Sequence, residues 1–521
     1  MSKKALPNPN QTDHARSPNQ HVLIDSDTCA TVDYITNDMF NAVSSTAPKL
    51  SVNGLPTEIL VLIFEFVLEM RMCPATPDFE DYSLSVPKQP IAMFLSEPVI
   101  FSHVCLRWRR TALHAPQLWT HIDLQHELYR SGYPNATIRR DTFIKRADQR
   151  LLDVHVLHQP SATDPQGFDS MQTEENSYQL IGMIAPRTQR LTIDTTSRLD
   201  DAEYPREILT AFLAKCIPGV LTALTFNLLG TSPIYDAGAP FTAEREPLYI
   251  PEDKLESLFG PITALSLKRY YPKAGSKAYQ GLVDLRLLGT IPIAESALVG
   301  ILESNPRLRV LHISFEITDS LPDDYAITPI RLFDLEIVKL GACLRRQTGT
   351  LLRWLNPGTT PLRLSMFNPY PIEYPYPDFH TKGRVQEFLA RSKVTKLGFH
   401  TLDSYFHLTE LLKIAPDVQV LVVDGIRCGM TDEEYADNGP QHPLDSLCIV
   451  RSVVNPPDLQ TVQRLIKKHH VQKLTFSSRT VQSYSKRAKL EVQTMLNTLY
   501  TLCPIVEIIP EGESSPMKDW Y

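Results

Sequence analysis

Histidines 103, 114, 121 and 126 lie close together in a stretch that also holds Trp108, Trp119, Arg107, Arg109 and Arg110. Imidazoles at this density are the raw material of a metal site or an acid–base pair. A zinc-binding helix, however, sets two histidines four residues apart with a carboxylate between them, and no pair here has that spacing. These histidines are therefore expected as surface or capping groups, and no metal ligand is expected. The three arginines could grip phosphate, but 59 acidic against 52 basic side chains leave the chain at −7, with no long basic run. They read as a solvated helix face, and nucleic acid is not an expected partner. Asp424, in "LVVDG", closes an expected strand, where α/β enzymes often keep a carboxylate. No G-x-S-x-G elbow, phosphate-binding glycine loop or paired nucleophile and base accompanies it, so a turn between repeats is expected. His469 and His470 fall at an expected helix end, where a cation meets the dipole.

The eight cysteines, at 29, 73, 105, 216, 343, 428, 448 and 503, include no C-x-x-C pair. Neither a zinc knuckle nor a disulfide scaffold is expected, and a reducing compartment, cytoplasmic or nuclear, fits best. The first residues, "MSKKALPNPNQTDHARSPNQ", have charge without an apolar core, which argues against a secretory signal. The longest apolar run, "ILVLIF" and its continuation, is broken by Glu65 and is short of the roughly 20 residues of a membrane helix. A soluble chain without membrane contact is expected. No catalytic residue and no cofactor are expected either.

The elements that must position these residues fall into regions. Residues 1–48 are rich in Asn, Asp, Ser, Thr and Pro, too poor in apolar groups to offset the entropy of ordering, and read as a disordered arm. A helical block follows over 52–125, interrupted at about 70–96 by a Pro-rich insert, "CPATPDFEDYSLSVPKQP". Residues 126–510 repeat a helix–turn–strand unit, and 511–521 form a tail. The expected strands are "TQRLTI", "LTALTF", "ITALSL", "LVDLRL", "LRVLHI", "LFDLEI", "PLRLSM", "VTKLGF", "VQVLVV", "LDSLCI" and "VQKLTF", with anchor leucines from Leu191 to Leu474, Leu335 among them. Their spacing clusters in the twenties, the period of leucine-rich repeats, in which each unit buries its apolar face only by stacking on neighbours. Helical runs such as "ILTAFLAKCIP", "SALVGILESNP" and "TVQRLIKKHH" precede the strands. The expected fold class is α/β, with a small helical domain ahead of a curved, irregular leucine-rich-repeat-like solenoid built on a parallel sheet. The asparagine of the usual repeat template is missing, for example after "LTALTF". The 41 prolines agree with frequent breaks between units.

Within the helical block, "GLPTEILVLIFEFVLEM" starts with Pro56 in a first turn, where its missing N–H costs nothing. Apart from the stripe of Glu58, Glu65 and Glu69 it is apolar nearly all round, so it must be covered on more than one side. The second part places Phe101, Val104, Cys105, Trp108 and Ala112 on one amphipathic stripe ending before Pro116. Together, "LPTEIL" and "SHVCLRWRRTALHAPQLWTHIDL" resemble the F-box motif in the form common among fungal F-box proteins. Leu55 and Pro56 match its opening Leu-Pro, Ile59, Leu60, Ile63 and Phe64 its first-helix anchors, and Val104, Cys105, Trp108, Leu118 and Trp119 its V-C-x-x-W and L-W positions.

The resemblance implies a non-catalytic receptor: the helices dock on a Skp-type adaptor, which hangs from a cullin-RING ubiquitin ligase, and the repeats hold a target protein. Adaptor contacts are then expected from Leu55, Pro56, Ile59, Leu60, Ile63, Phe64, Val104 and Trp108, some of the first six being internal core instead. Trp108 is expected to face mainly inward, and Trp119 to be structural. Target contacts are expected from strand positions between the anchor leucines, namely Ser266, Arg286, His312, Glu336, Gly398 and Thr475; Tyr370, Tyr374 and Tyr376 in "NPYPIEYPYPDFH" read either as an aromatic ridge for the target or as an inter-repeat loop. The alternative is a scaffold or assembly protein that keeps the helical pair without recruiting a ligase.

Overall fold

A computed structural model describes residues 52–70, 97–125, 134–158, 171–195, 203–228, 248–268, 271–289, 292–322, 325–341, 347–366, 383–399, 411–423, 442–449, 456–477, 494 and 497–509. The expected arm, the insert at 71–96, the tail, Asp424 and the tyrosines at 370, 374 and 376 lie outside them. The chain divides into two units, the first ending at Pro56. Of that unit the described part is a short 3-10 turn, Val52–Gly54, closed by a hydrogen bond from Leu55 N to Val52 O at 3.3 Å.

The second unit is α/β. Its main sheet has fourteen strands among the described residues, hydrogen-bonded in chain order and parallel at every step. They are β1 His121–Gln125, β2 Leu152–His158, β3 Thr188–Thr195, β4 Ala223–Leu228, β5 Ala264–Lys268, β6 Asp284–Leu288 and β7 Val310–Ser314. Then come β8 Ile337–Leu340, β9 Leu362–Met366, β10 Val394–Phe399, β11 Val420–Val423, β12 Ser446–Ile449, β13 Lys473–Ser477 and β14 Ile505–Ile509. Helices intervene where a parallel crossover needs them, for example Met171–Ile184 between β2 and β3, Glu203–Lys215 between β3 and β4, and Glu295–Glu303 between β6 and β7.

Register shows why the leucine pattern works. Leu191, Leu224, Leu265, Leu285, Leu311, Val338, Leu364, Leu397, Leu421, Leu447 and Leu474 are successive partners across β3 to β13, and none is more than 3% exposed. Alternation along a strand sends the next residue to the opposite face, so a second row forms there. That row runs from Asp123 and His155 through Thr192, Thr225, Ser266, Arg286, His312, Lys339, Ser365, Gly398 and the apolar Val422 to Cys448 and Thr475.

One expected strand is displaced. "LFDLEI" has Val338, not Leu335, in the leucine row, because Leu335, Val338 and Leu340 carry the same apolar spacing three residues further on. Leu335 stays fully buried in the turn before β8. Glu336 thus lies ahead of the strand, where it holds Arg309 by hydrogen bonds of 2.8–3.0 Å, and Lys339 takes its place in the polar row.

An asparagine also ties together segments on either side of β6. Buried Asn305, before β7, accepts from Leu282 N at 2.6 Å and donates to Tyr279 O and Ile301 O at 2.7 and 2.6 Å. At the end of Pro456–His469, His469 is buried, and desolvation pushes its imidazole down to about 4. It is neutral rather than the expected dipole-facing cation. The helix stops there because His470 takes a left-handed backbone, with φ 47°.

Candidate functional site: an exposed apolar helical surface and a polar strand row

Three helices open the second unit: α1 Thr57–Met70, α2 Glu97–Val104 and α3 Leu106–Leu113. The expected single stripe from Phe101 to Ala112 is broken at Cys105, whose extended backbone ends α2 and caps α3 by accepting from Trp108 N at 3.4 Å. Arg109 Nε donates to Ser102 O at 2.7 Å, satisfying a carbonyl freed by that break. At least one of the three arginines is therefore a structural brace and not merely a solvated charge.

The core of this block is aromatic. Phe64 stacks on Phe101 with ring centroids 4.3 Å apart and meets Trp108 edge-tilted at 4.9 Å, while Phe101 and Trp108 sit 6.3 Å apart. Trp119 is fully buried in the 3-10 turn Pro116–Trp119, where Nε1 donates to Ala112 O at 2.8 Å and Arg146 covers its ring at 4.2 Å. Both tryptophans brace the fold, and neither offers an open stacking platform.

The expected contact residues therefore divide. Leu60 and Phe64 are fully buried and Trp108 is half-buried, whereas Ile59, Ile63 and Val104 are exposed. Leu55 is half-buried and Pro56 exposed. Residues without a motif match join the exposed group: Leu62, Phe66, Ile100, Leu106 and Leu113, with Phe66 60% and Leu106 64% exposed. Eight of the twenty exposed large apolar side chains among the described residues fall on these three helices. The all-round apolarity of α1 signalled this surface in advance; the helix break that turns Val104 and Leu106 outward had no such signal.

The second row of the sheet carries Ser266, Arg286, His312, Gly398 and Thr475 on one face, without Glu336; Ser266, Arg286 and His312 are half-buried, whereas Gly398 and Thr475 are buried. Its middle is basic. Arg286 is held by Asp284 through two hydrogen bonds of 2.9 Å. Desolvation, reinforced by the charges of Lys339, Arg286 and Lys268, pushes the His312 imidazole well below its usual range, so it stays neutral. The start of the row is a chain of carboxylates and imidazoles. His121 contacts Asp153 and Asp123, His155 contacts Asp123 and Asp194, and Asn227 donates to Asp194. Burial alone would raise the Asp123 carboxyl; hydrogen bonds and charge from His121 and His155 overcome it and hold the group below the usual carboxylate range.

His121 is thus no isolated surface histidine. The sequence signal was the mirrored pair His121-Ile122-Asp123 and Asp153-Val154-His155, which parallel pairing sets opposite each other, acid to base. No helix among the described residues is long and apolar enough to cross a membrane. No protein-family model matches the chain. No curated protein matches it either.

Proposed function

We propose that this chain is a non-catalytic substrate receptor of an SCF-type ubiquitin ligase, with the helical block docking on a Skp-type adaptor and the polar row of the sheet holding a target protein. One observation carries the reading: the concentration of exposed apolar side chains on α1, α2 and α3, when soluble proteins ordinarily keep such patches for partners. The F-box resemblance supplies the partner's identity. Its Leu55-Pro56 opening and V-C-x-x-W match stand on these same helices or directly ahead of them.

In this reading Phe64, Phe101 and Trp108 form a rigid base, and the ridge of Ile59, Ile63, Phe66, Val104 and Leu106 makes the contact. Leu60 and Phe64 act through the base and do not touch the adaptor. Strands in chain order fit a leucine-rich-repeat solenoid whose second row, half-buried at Thr192, Thr225, Ser266, Arg286 and His312, offers contacts along its inner side. The chemistry supplied is proximity: a target held by the repeats gains effective concentration beside the ubiquitin-charged enzyme.

The test is copurification. Full-length chain should bring down the adaptor and cullin, and Ile63→Ser with Phe66→Ser should lose both while keeping the wild-type melting profile. Retention of both by that variant contradicts the proposal. Capture of stable partners without adaptor or cullin would favour the scaffold role instead.

A further inference from the structure

The geometry points to a divalent transition-metal site of the zinc class on β1 and β2, ligated by His121 Nε2, Asp123 Oδ1 and His155 Nδ1. These three residues present ligand atoms that all lie within 4.8 Å of one another. The two imidazole nitrogens stand 3.1 and 3.4 Å from the same carboxylate oxygen. A tetrahedral ion with arms of about 2.0–2.1 Å has edges of about 3.3 Å, so both of these separations already match a ligand pair around one ion.

The outer side of each ring carries the second requirement. His121 Nδ1 lies 3.2 Å from Asp153 Oδ2, and His155 Nε2 lies 3.1 Å from Asp194 Oδ2. Metal-binding histidines characteristically donate their second N–H to a carboxylate in this way, which fixes the tautomer and strengthens the donor. Asp194 is itself anchored, accepting from Asn227 Nδ2 at 2.8 Å, and His155, Asp194 and Asn227 are all buried. When both rings donate outward, Nε2 of His121 and Nδ1 of His155 aim lone pairs at an anionic oxygen. A cation between them satisfies all three donors at once, in place of the second proton by which each ring otherwise bonds Asp123.

Exposure suits an ion that can enter. The His155 side chain is 4% exposed, whereas those of His121 and Asp123 are 40% and 31% exposed, so one side of the cluster meets solvent. Three protein ligands leave a fourth position for water or for a donor from a bound protein. Imidazole donors favour zinc, copper or nickel over magnesium and calcium, which take oxygen ligands. The ion would tie edge strand β1 to β2, and this holds whether or not the helical block binds an adaptor.

The experiment uses the full-length chain, stripped with chelator and then titrated with Zn2+, Co2+ and, as a control, Mg2+. Expected are one Zn2+ bound per chain, a higher melting temperature with Zn2+ but not Mg2+, and the visible absorption bands of tetrahedral Co2+. Asp123→Asn and His121→Gln, both at partly exposed positions, should each weaken Zn2+ binding by about 100-fold or more, and Asp153→Asn by about 10- to 100-fold. Far-UV circular dichroism establishes that the variants are folded. The inference is overturned if Zn2+ uptake is not saturable at one per chain, or if it is unchanged in folded Asp123→Asn and His121→Gln. Either result assigns the cluster to doubly protonated histidines bridging carboxylates.

Discussion

The Phe64 ring stacks on Phe101 at 4.3 Å, so the side of α1 that bears Leu60 and Phe64 is committed to the block's own core, while Ile63 and Phe66 stay outside it. This division predicts opposite phenotypes for two phenylalanines on one helix. Phe64→Ala leaves a cavity against two aromatic rings and should cost about 3–5 kcal/mol of stability. Phe66→Ser should change stability by no more than about 0.5 kcal/mol, yet weaken adaptor binding. Urea unfolding of both variants, alongside wild type, checks the contrast.

Glu295 and Arg353, 58 residues apart, form a fully buried ion pair with three N–H···O contacts of 2.6–3.0 Å. The carboxylate also accepts from Leu321 N and Trp354 Nε1, and the guanidinium also donates to Leu321 O and Pro322 O. With both groups fully buried, loss of one partner strands a buried charge. Arg353→Met should destabilise by about 3–5 kcal/mol, and adding Glu295→Leu should recover part of that loss. A double-mutant cycle by thermal unfolding measures the coupling; strict additivity would refute the pair's role.

His469 gives the fold an acid sensitivity. Its Nδ1 lies 3.0 Å from His442 O, its Nε2 has no partner, and burial pushes its value down to about 4. Between an unfolded value near 6.5 and that folded value, the unfolded chain binds the extra proton. Its contribution is therefore fully present above pH 6.5 and is lost as pH falls towards 4, by roughly 2–3 kcal/mol. His469→Gln should flatten this part of the stability–pH profile. An unchanged slope between pH 6.5 and 4 in that variant would contradict the assignment.

Gly341 follows β8 with its N–H bonded to Ile313 O at 2.8 Å. A Cβ there would meet Ser314 Oγ at 2.1 Å, its Cβ at 2.4 Å and its Cα at 3.1 Å. Gly341→Ala should cost about 1–3 kcal/mol through overpacking. Ser314→Ala should fail to rescue it, because the clashing Cβ remains, and Ser314→Gly should succeed. Melting temperatures of the three combinations decide.

Sheet order and the buried leucine row were legible from β3 to β13 because parallel pairing sets one recurring apolar spacing side by side, whereas β1, β2 and β14 lie outside that pattern. The exception is instructive. Leu332, Leu335 and Ile337 satisfy the same pattern as Leu335, Val338 and Leu340, so only pairing with Leu311 and Leu364 selects the second set. Helical periodicity likewise ran through Cys105, since nothing in the pattern marks an extended residue there; Arg109 compensates the break by bonding Ser102 O. The histidine–aspartate cluster was missed for a related reason. His121 and His155 are 34 positions apart, and only strand register places their rings on a common carboxylate.

Direct titration of purified full-length chain with a purified Skp-type adaptor tests the docking ridge most sharply. Saturable one-to-one binding is expected, weakened at least about 30-fold by Ile63→Ser with Phe66→Ser, equivalent to roughly 2 kcal/mol, with the fold intact. No binding by the wild-type chain, or equal binding by that variant, would contradict it.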